Sequence, residues 1–242
     1  HLLSRRQRQM CIRDREVLKV VKETVVPLTL LGNGSNVLVR DKGIRGIVIK
    51  LGNMLRHFYE AEDLLVFGSG YSLALASYKA MECGKTGMEF AVGIPGSIGG
   101  AVYMNAGAYD GEMQNIVNCV KVMDLQGNER VLTAEELNFG YRKTSLQNSG
   151  LIVTEVTLKM PSGNKDEIKS KMDDFSHRRI SKQPLEMPSA GSMFKRPPGY
   201  FAGTLIDQAG LKGYTVGGAQ ISTKHAGFVV NVGGATAADV LQ

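Results

Sequence analysis

The residue types best suited to chemistry fall in four short stretches. The longest reads Gly93-Ile94-Pro95-Gly96-Ser97-Ile98-Gly99-Gly100-Ala101-Val102-Tyr103-Met104-Asn105-Ala106-Gly107-Ala108-Tyr109. Each of its five glycines would cost about 1 kcal/mol in an ordinary helix. They admit positive φ and close backbone approach, so successive N–H groups can converge on an anion. The apolar Ile94, Ile98, Val102 and Met104 argue for a packed loop entering a short helix, with its N–H groups open to a phosphate. A buried tight turn would use the same glycines, which by themselves leave both readings open. The second stretch, Leu31-Gly32-Asn33-Gly34-Ser35-Asn36, follows an apolar run from Val25 to Leu30 that reads as a buried strand. Two such loops could hold a diphosphate from two sides. Neither carries the dinucleotide fingerprint, and no GK[ST] phosphate loop is present.

The third stretch is Phe139-Gly140-Tyr141-Arg142-Lys143-Thr144-Ser145. An arginine beside a glycine turn can take a carboxylate through two parallel N–H bonds, or can simply be solvated. The fourth is Pro188-Ser189-Ala190-Gly191-Ser192-Met193-Phe194-Lys195-Arg196-Pro197. It lacks GxSxG, and no His or Asp is spaced to suggest a hydrolase triad. Ser192 does lie near two cations, which would stabilise it after loss of a proton. The four histidines, His1, His57, His177 and His225, form no cluster and read as structural or exposed.

LGNGSN and GIPGSIGGAVYMNAGAY together resemble the flavin-binding domain of the vanillyl-alcohol-oxidase (PCMH) type. More closely, they resemble the UDP-N-acetylenolpyruvoylglucosamine reductase family, flavoenzymes of peptidoglycan precursor synthesis. The resemblance runs over about residues 15–242. It implies FAD bound through Leu31, Gly32, Asn33, Gly34, Ser35 and Asn36. The longer loop would add Gly93, Ile94, Pro95, Gly96, Ser97, Gly99, Gly100, Ala101, Asn105, Ala106 and Gly107. FGYRKTS matches the family's FGYR-x-S with one extra residue before the serine. Tyr141 and Arg142 carry over as substrate-binding and catalytic residues, the arginine on the enolpyruvyl carboxylate; Ser145 is left out.

PSAGSxFKxP is similar to the family motif whose serine is the proton donor, which maps onto Ser192. Lys195, Arg196 and, more weakly, Lys182 map onto substrate contacts, although the family often has asparagine at the position of Arg196. The implied reaction takes hydride from NADPH to flavin N5 and on to C3 of the enolpyruvyl ether of UDP-N-acetylglucosamine, with Ser192 protonating C2. The 50 residues from Arg142 to Ser192 leave no room for the extra substrate-covering loop of the longer subclass, so the chain resembles the compact second type. The family also places a catalytic glutamate on a strand after the helix opening at Thr236. No acidic residue of these 242 occupies that motif, and neither Asp207 nor Asp239 substitutes for it. The chain as given is expected to bind flavin and to turn substrate over poorly.

Composition bounds the alternatives. A chain of 242 residues, 43% hydrophobic and 21% charged, can bury a core in one or two domains. No apolar run approaches the ~20 residues of a membrane helix, and no signal peptide is visible. Cys11, Cys83 and Cys119 are widely spaced and make neither a disulfide framework nor a zinc site. A cytoplasmic monomer without metal is expected. Half of the net charge of +6 comes from four arginines against Asp14 within residues 1–14, with no interleaved aromatics, which argues against nucleic-acid binding. A related flavin oxidase and a non-catalytic nucleotide-binding protein remain the competing readings; the first discards Ser192, and the second discards the chemistry.

The elements that must position these residues follow from periodicity. Residues 1–14 read as foreign sequence, and residues 16–24 as a short helix. Strands at 25–31 and 46–51 flank the LGNGSN loop. Leu64–Phe67 reads as a strand, and Ser72 caps a helix. Strands Val117–Leu125 and Glu129–Leu132 flank a turn, and Thr133 with Glu136 makes a capping box for a brief helix. Leu151–Met160 reads as the last strand of an FAD-binding domain spanning 15–163, itself in two parts, 15–52 and 53–163. A charged linker helix from Lys165, a Pro-rich irregular band, a helix at Ala202–Ala209 and a strand at His225–Val232 make a smaller substrate domain, 164–242. The class is α+β.

Overall fold

The computed structural model describes Glu23 and residues 26–242. The expectations for residues 1–14 and 16–24 therefore lie outside the described residues, Glu23 apart. Contacts divide the chain into two compact units: residues up to Asn33 with Arg45–Phe175, and Gly34–Ile44 with Ser176–Gln242.

In the first unit, β1 (Leu28–Leu31) and β2 (Ile47–Lys50) pair in parallel. Then come β3 (Phe58–Ala61), β4 (Leu64–Gly68), α1 (Leu73–Glu82) and α2 (Ile98–Tyr103). The hairpin β5 (Gly107–Ala108) and β6 (Gly111–Glu112) follows, then β7 (Val117–Met123), β8 (Glu129–Thr133), β9 (Ile152–Lys159) and α3 (Lys165–Lys182), which belongs to this unit up to Phe175. The main sheet has the order β3-β4-β9-β7-β8 and is antiparallel throughout. Leu65, Phe67, Val120, Val122, Val156 and Leu158 pack from it against Leu73, Ala76 and Ala80 of α1 and Ile98, Ala101 and Val102 of α2. Period-two alternation puts these side chains on one sheet face. The expected capping box is present, with Glu136 accepting from the Thr133 N–H and Thr133 Oγ1 from the Glu136 N–H. Its segment makes only turns, so no helix follows it.

α3 departs from the expected linker helix. Ile168, Met172 and Phe175, spaced i, i+4 and i+7, are buried with Val92, and Phe175 stacks on Tyr109 at 4.4 Å between centroids. This apolar stripe carries the first unit to Phe175, well past the Pro161-Ser162-Gly163 boundary expected from composition. No helix among the described residues is long and apolar enough to cross a membrane.

The second unit holds β10 (Ser189–Ser192), α4 (Ala202–Gln208), β11 (Thr215–Val216), β12 (Ala219–Ile221), β13 (Phe228–Asn231) and α5 (Ala237–Leu241). The sheet order is β10-β13-β12-β11. β10 lies in the band expected to be irregular; its pairing with β13, Ser189 to Val230 and Ser192 to Phe228, joins residues far apart in the chain and leaves no local signal. Thr236 caps α5 in a capping box with Asp239. The first two helical amides, Ala237 and Ala238, donate to Asp41, which ties the irregular 34–44 segment into this unit.

Glu89, in a 3-10 turn just before Gly93, is only 3% exposed. Burial alone would push its carboxyl up. Bonds from the Thr86 hydroxyl and the backbone, with the Lys171 ammonium 3.8 Å away, outweigh that and hold it below the usual value. A depressed carboxyl contributes stability above its unfolded pKa of about 4.3 and loses it as pH falls through the lower folded value. Glu89→Gln should cost about 1.5–3 kcal/mol at pH 7, the weight of hydrogen bonds to a charged group. Urea midpoints for the two proteins should converge as pH falls below the usual carboxylate range. A gap unchanged across that range would contradict this account.

Candidate active site

The two glycine-rich stretches meet. A Cβ added to Gly32 would stand 2.5 Å from Ser97 Oγ, so only glycine lets the first loop close on the second. Ser97 is buried and caps α2, its Oγ accepting from the Gly100 N–H at 3.3 Å. Gly34 and Gly96 take φ of +72° and +149°, and nothing lies within 4 Å of a Cβ placed on Gly34. The expected loop-into-short-helix is therefore present, as α2.

One expectation is corrected. The helix start was expected to offer free N–H groups, but Ile98 donates to the Tyr71 carbonyl, Gly99 to Ser69 and Gly100 to its own cap. Gly99 packs so tightly that an added Cβ would meet Ser69 Cβ at 2.6 Å. These amides hold α2 on the turn after β4, so an anion would need the loops rather than the helix end. Ser69 Oγ is the one buried side-chain polar atom without a partner among the described residues.

Gly93, Ile94 and Pro95 lead into this arrangement; the Ile94 N–H donates to Ala91 and its side chain packs on the core. Ala101 is buried, and the Ala106 N–H donates to its carbonyl. Asn105 is 1% exposed, and its carboxamide makes three internal hydrogen bonds, so its side chain is committed within the protein. Gly107 opens the β5–β6 hairpin, pairing with Glu112.

Arg142 sits at the tip of a turn closed by mutual N–H···O bonds between Gly140 and Lys143. Its φ of +56° is uncommon for a residue with a side chain. The guanidinium donates to the Asn105 carbonyl at 3.1 Å and the Gly107 carbonyl at 2.8 Å. The structure thus joins the third stretch to the first. Two of the five guanidinium donors are engaged in that way, and a carboxylate can use others. Tyr141 is exposed beside Arg142, its ring centroid 5.5 Å from the guanidinium carbon. The buried Thr144 hydroxyl donates to the Tyr103 carbonyl at 2.8 Å, fixing the turn to the end of α2.

In the second unit, Ser192 ends β10 opposite Phe228 and is exposed. A Cβ on the buried Gly227 would stand 3.5 Å from Ser192 Oγ and 3.1 Å from His225 Cε1, so these two side chains flank one glycine. His225 Nδ1 accepts from the Gly227 N–H, which puts the neutral ring's proton on Nε2. His225, read from sequence as structural or exposed, holds its own turn through Gly227 and packs edge-on against the Phe228 ring at 4.9 Å. Arg196 lies over the Phe201 ring at 3.9 Å, and Lys195 is exposed. Lys182 is exposed at the end of α3.

A family model described as an FAD binding domain matches residues 15–133, and the C-terminal domain of UDP-N-acetylenolpyruvoylglucosamine reductase matches residues 183–242. A UDP-N-acetylenolpyruvoylglucosamine reductase of Clostridium perfringens is 54% identical over 224 residues, 93% of this chain and 73% of that protein. The chain belongs to this reductase family. The enzyme of that name from Staphylococcus aureus is 49% identical, over 94% of this chain and 75% of its own length. The crystal structure of the Thermus caldophilus reductase superposes with a TM-score of 0.83 at 44% identity, covering 94% of this chain and 82% of that one. The α+β class expected from sequence is that of the reductase family.

The residues present fit FAD. Within the first unit the two glycine loops touch at Gly32 and Ser97, and Gly96 takes a φ of +149° that frees the backbone for the close approach a diphosphate needs.

Proposed function

We propose that the chain reduces the enolpyruvyl ether of UDP-N-acetylglucosamine to UDP-N-acetylmuramate at the expense of NADPH, a step of peptidoglycan precursor synthesis. The observation that carries this reading is the anchoring of Arg142 on the carbonyls of Asn105 and Gly107 within the second glycine stretch. FAD, when bound, supplies the hydride-transfer chemistry between nicotinamide and alkene. Residues 31–36 and 93–97 would hold it. Hydride arriving at C3 of the substrate leaves negative charge at C2 and in the carboxylate. The Arg142 guanidinium stabilises that charge, and its fixed carbonyl partners mean little reorganisation as the charge develops. The Ser192 hydroxyl delivers a proton to C2; an enolate is basic enough to take it where water is excluded. Tyr141, Lys182, Lys195 and Arg196 bind the rest of the nucleotide sugar. In this reading the FAD-binding residues precede the substrate-binding Lys182, Ser192, Lys195 and Arg196 in the chain, and the protein is a cytoplasmic monomer.

Flavin placement is tested with paired glycines. Gly34 and Gly43 have φ of +72° and +74°, and neither has an atom within 4 Å of an added Cβ. Valine strains both backbones alike. Gly34→Val should purify colourless, while Gly43→Val should stay yellow. A yellow Gly34→Val protein with full flavin content would displace the diphosphate from this loop.

A further inference from the structure

Asn105 is tied into the protein more fully than a cofactor contact requires. Its backbone takes φ of +42°, a left-handed conformation that asparagine tolerates better than most residues. Nδ2 donates to Glu112 Oε2 and to the Gly140 carbonyl, both at 3.0 Å, and Oδ1 accepts from the Gln114 N–H at 3.0 Å. Gly140 closes the turn that carries Arg142, and the Asn105 carbonyl itself receives the Arg142 guanidinium. Asn105 therefore grips Arg142 at both ends, the turn through its side chain and the charged head through its backbone. The Gly107 carbonyl, two residues on, takes the second guanidinium bond.

We propose that Asn105 is the positioning residue for Arg142, fixing the direction in which the guanidinium meets a carboxylate; this rests on the reading of Arg142 given above. A short aliphatic side chain could not reproduce the grip. Asn105→Ala removes both donors and the acceptor, and with them the side-chain ties to Glu112, Gly140 and the Gln114 N–H. The guanidinium then loses its fixed bearing without losing its charge.

The test compares two ligands on the oxidised holoenzyme, each titrated by the change in flavin absorbance. One is the enolpyruvyl substrate; the other is UDP-N-acetylglucosamine, which lacks the carboxylate. Asn105→Ala should weaken the first by about tenfold, the factor a single charge-assisted hydrogen bond carries, and leave the second unchanged. Flavin content is measured in parallel, so that the two ligands are compared at equal flavin loading. Equal weakening of both ligands, or loss of flavin with ligand selectivity intact, would overturn the inference. Glu112→Gln perturbs one partner of Asn105 while keeping an acceptor there, and should show the same selectivity at about threefold. No selectivity in Glu112→Gln would overturn the inference even if Asn105→Ala fails to fold. Arg142→Lys run alongside separates the two claims. If it leaves enolpyruvyl binding intact, the role of Arg142 fails; selective loss there without any effect from Asn105→Ala overturns the positioning role alone.

Discussion

Ser192→Ala is expected to leave reduction of the flavin by NADPH nearly unchanged and to slow reoxidation by the enolpyruvyl substrate by about 10²–10⁴, the usual weight of a general acid. The separation follows from the chemistry assigned to the hydroxyl. No proton reaches C2 until hydride has reached C3, so the first half-reaction has no use for Ser192. The substitution removes one exposed oxygen at the end of β10, where the side chain fills no core space, so folding should be unaffected. Single-turnover stopped-flow traces of each half-reaction give the comparison. Equal slowing of both halves would mean that Ser192 supports the structure of its strand and donates no proton.

Arg142→Lys should lower kcat/KM for the enolpyruvyl substrate by about 10²–10³, the cost of removing one electrostatic donor from a developing anion. Lysine keeps the charge but is a point donor. It cannot hold the Asn105 and Gly107 carbonyls with one edge and offer two parallel N–H bonds with another. NADPH reduction of the flavin should stay within a few-fold of the unmodified protein. A loss confined to KM for NADPH would move Arg142 from the carboxylate to the nicotinamide.

Much of the site was legible because its signals are local. Glycine spacing with interleaved apolar residues announced a packed loop entering a short helix, which is α2; its Ser97 cap was not singled out. Ser72 and Thr133 with Glu136 read as caps and make cap bonds, and a helix opens at Thr236 as expected. What stayed hidden depends on partners far away in the chain. β10 is a four-residue strand containing a glycine, held in register only by β13. The amides of Ile98 and Gly99 looked free until the turn after β4 supplied the Tyr71 and Ser69 carbonyls. In α3, Ile168, Met172 and Phe175 gave too weak a stripe among eighteen residues to outweigh its charges, although they bury against Val92. Asn105 read as part of a flavin phrase because nothing near it in sequence names Gly140 as its partner.

The central claim is that one chain accepts reducing equivalents from NADPH on FAD and passes them to an enolpyruvyl carboxylate. It is tested by the visible absorbance of the purified protein under anaerobic conditions. The yellow flavin spectrum should bleach on addition of one equivalent of NADPH. It should then return, over a single turnover and without oxygen, on addition of the enolpyruvyl ether of UDP-N-acetylglucosamine, and not with UDP-N-acetylglucosamine itself. Protein that stays colourless after incubation with FAD, or whose bleached flavin recovers only when oxygen is admitted, would contradict the account.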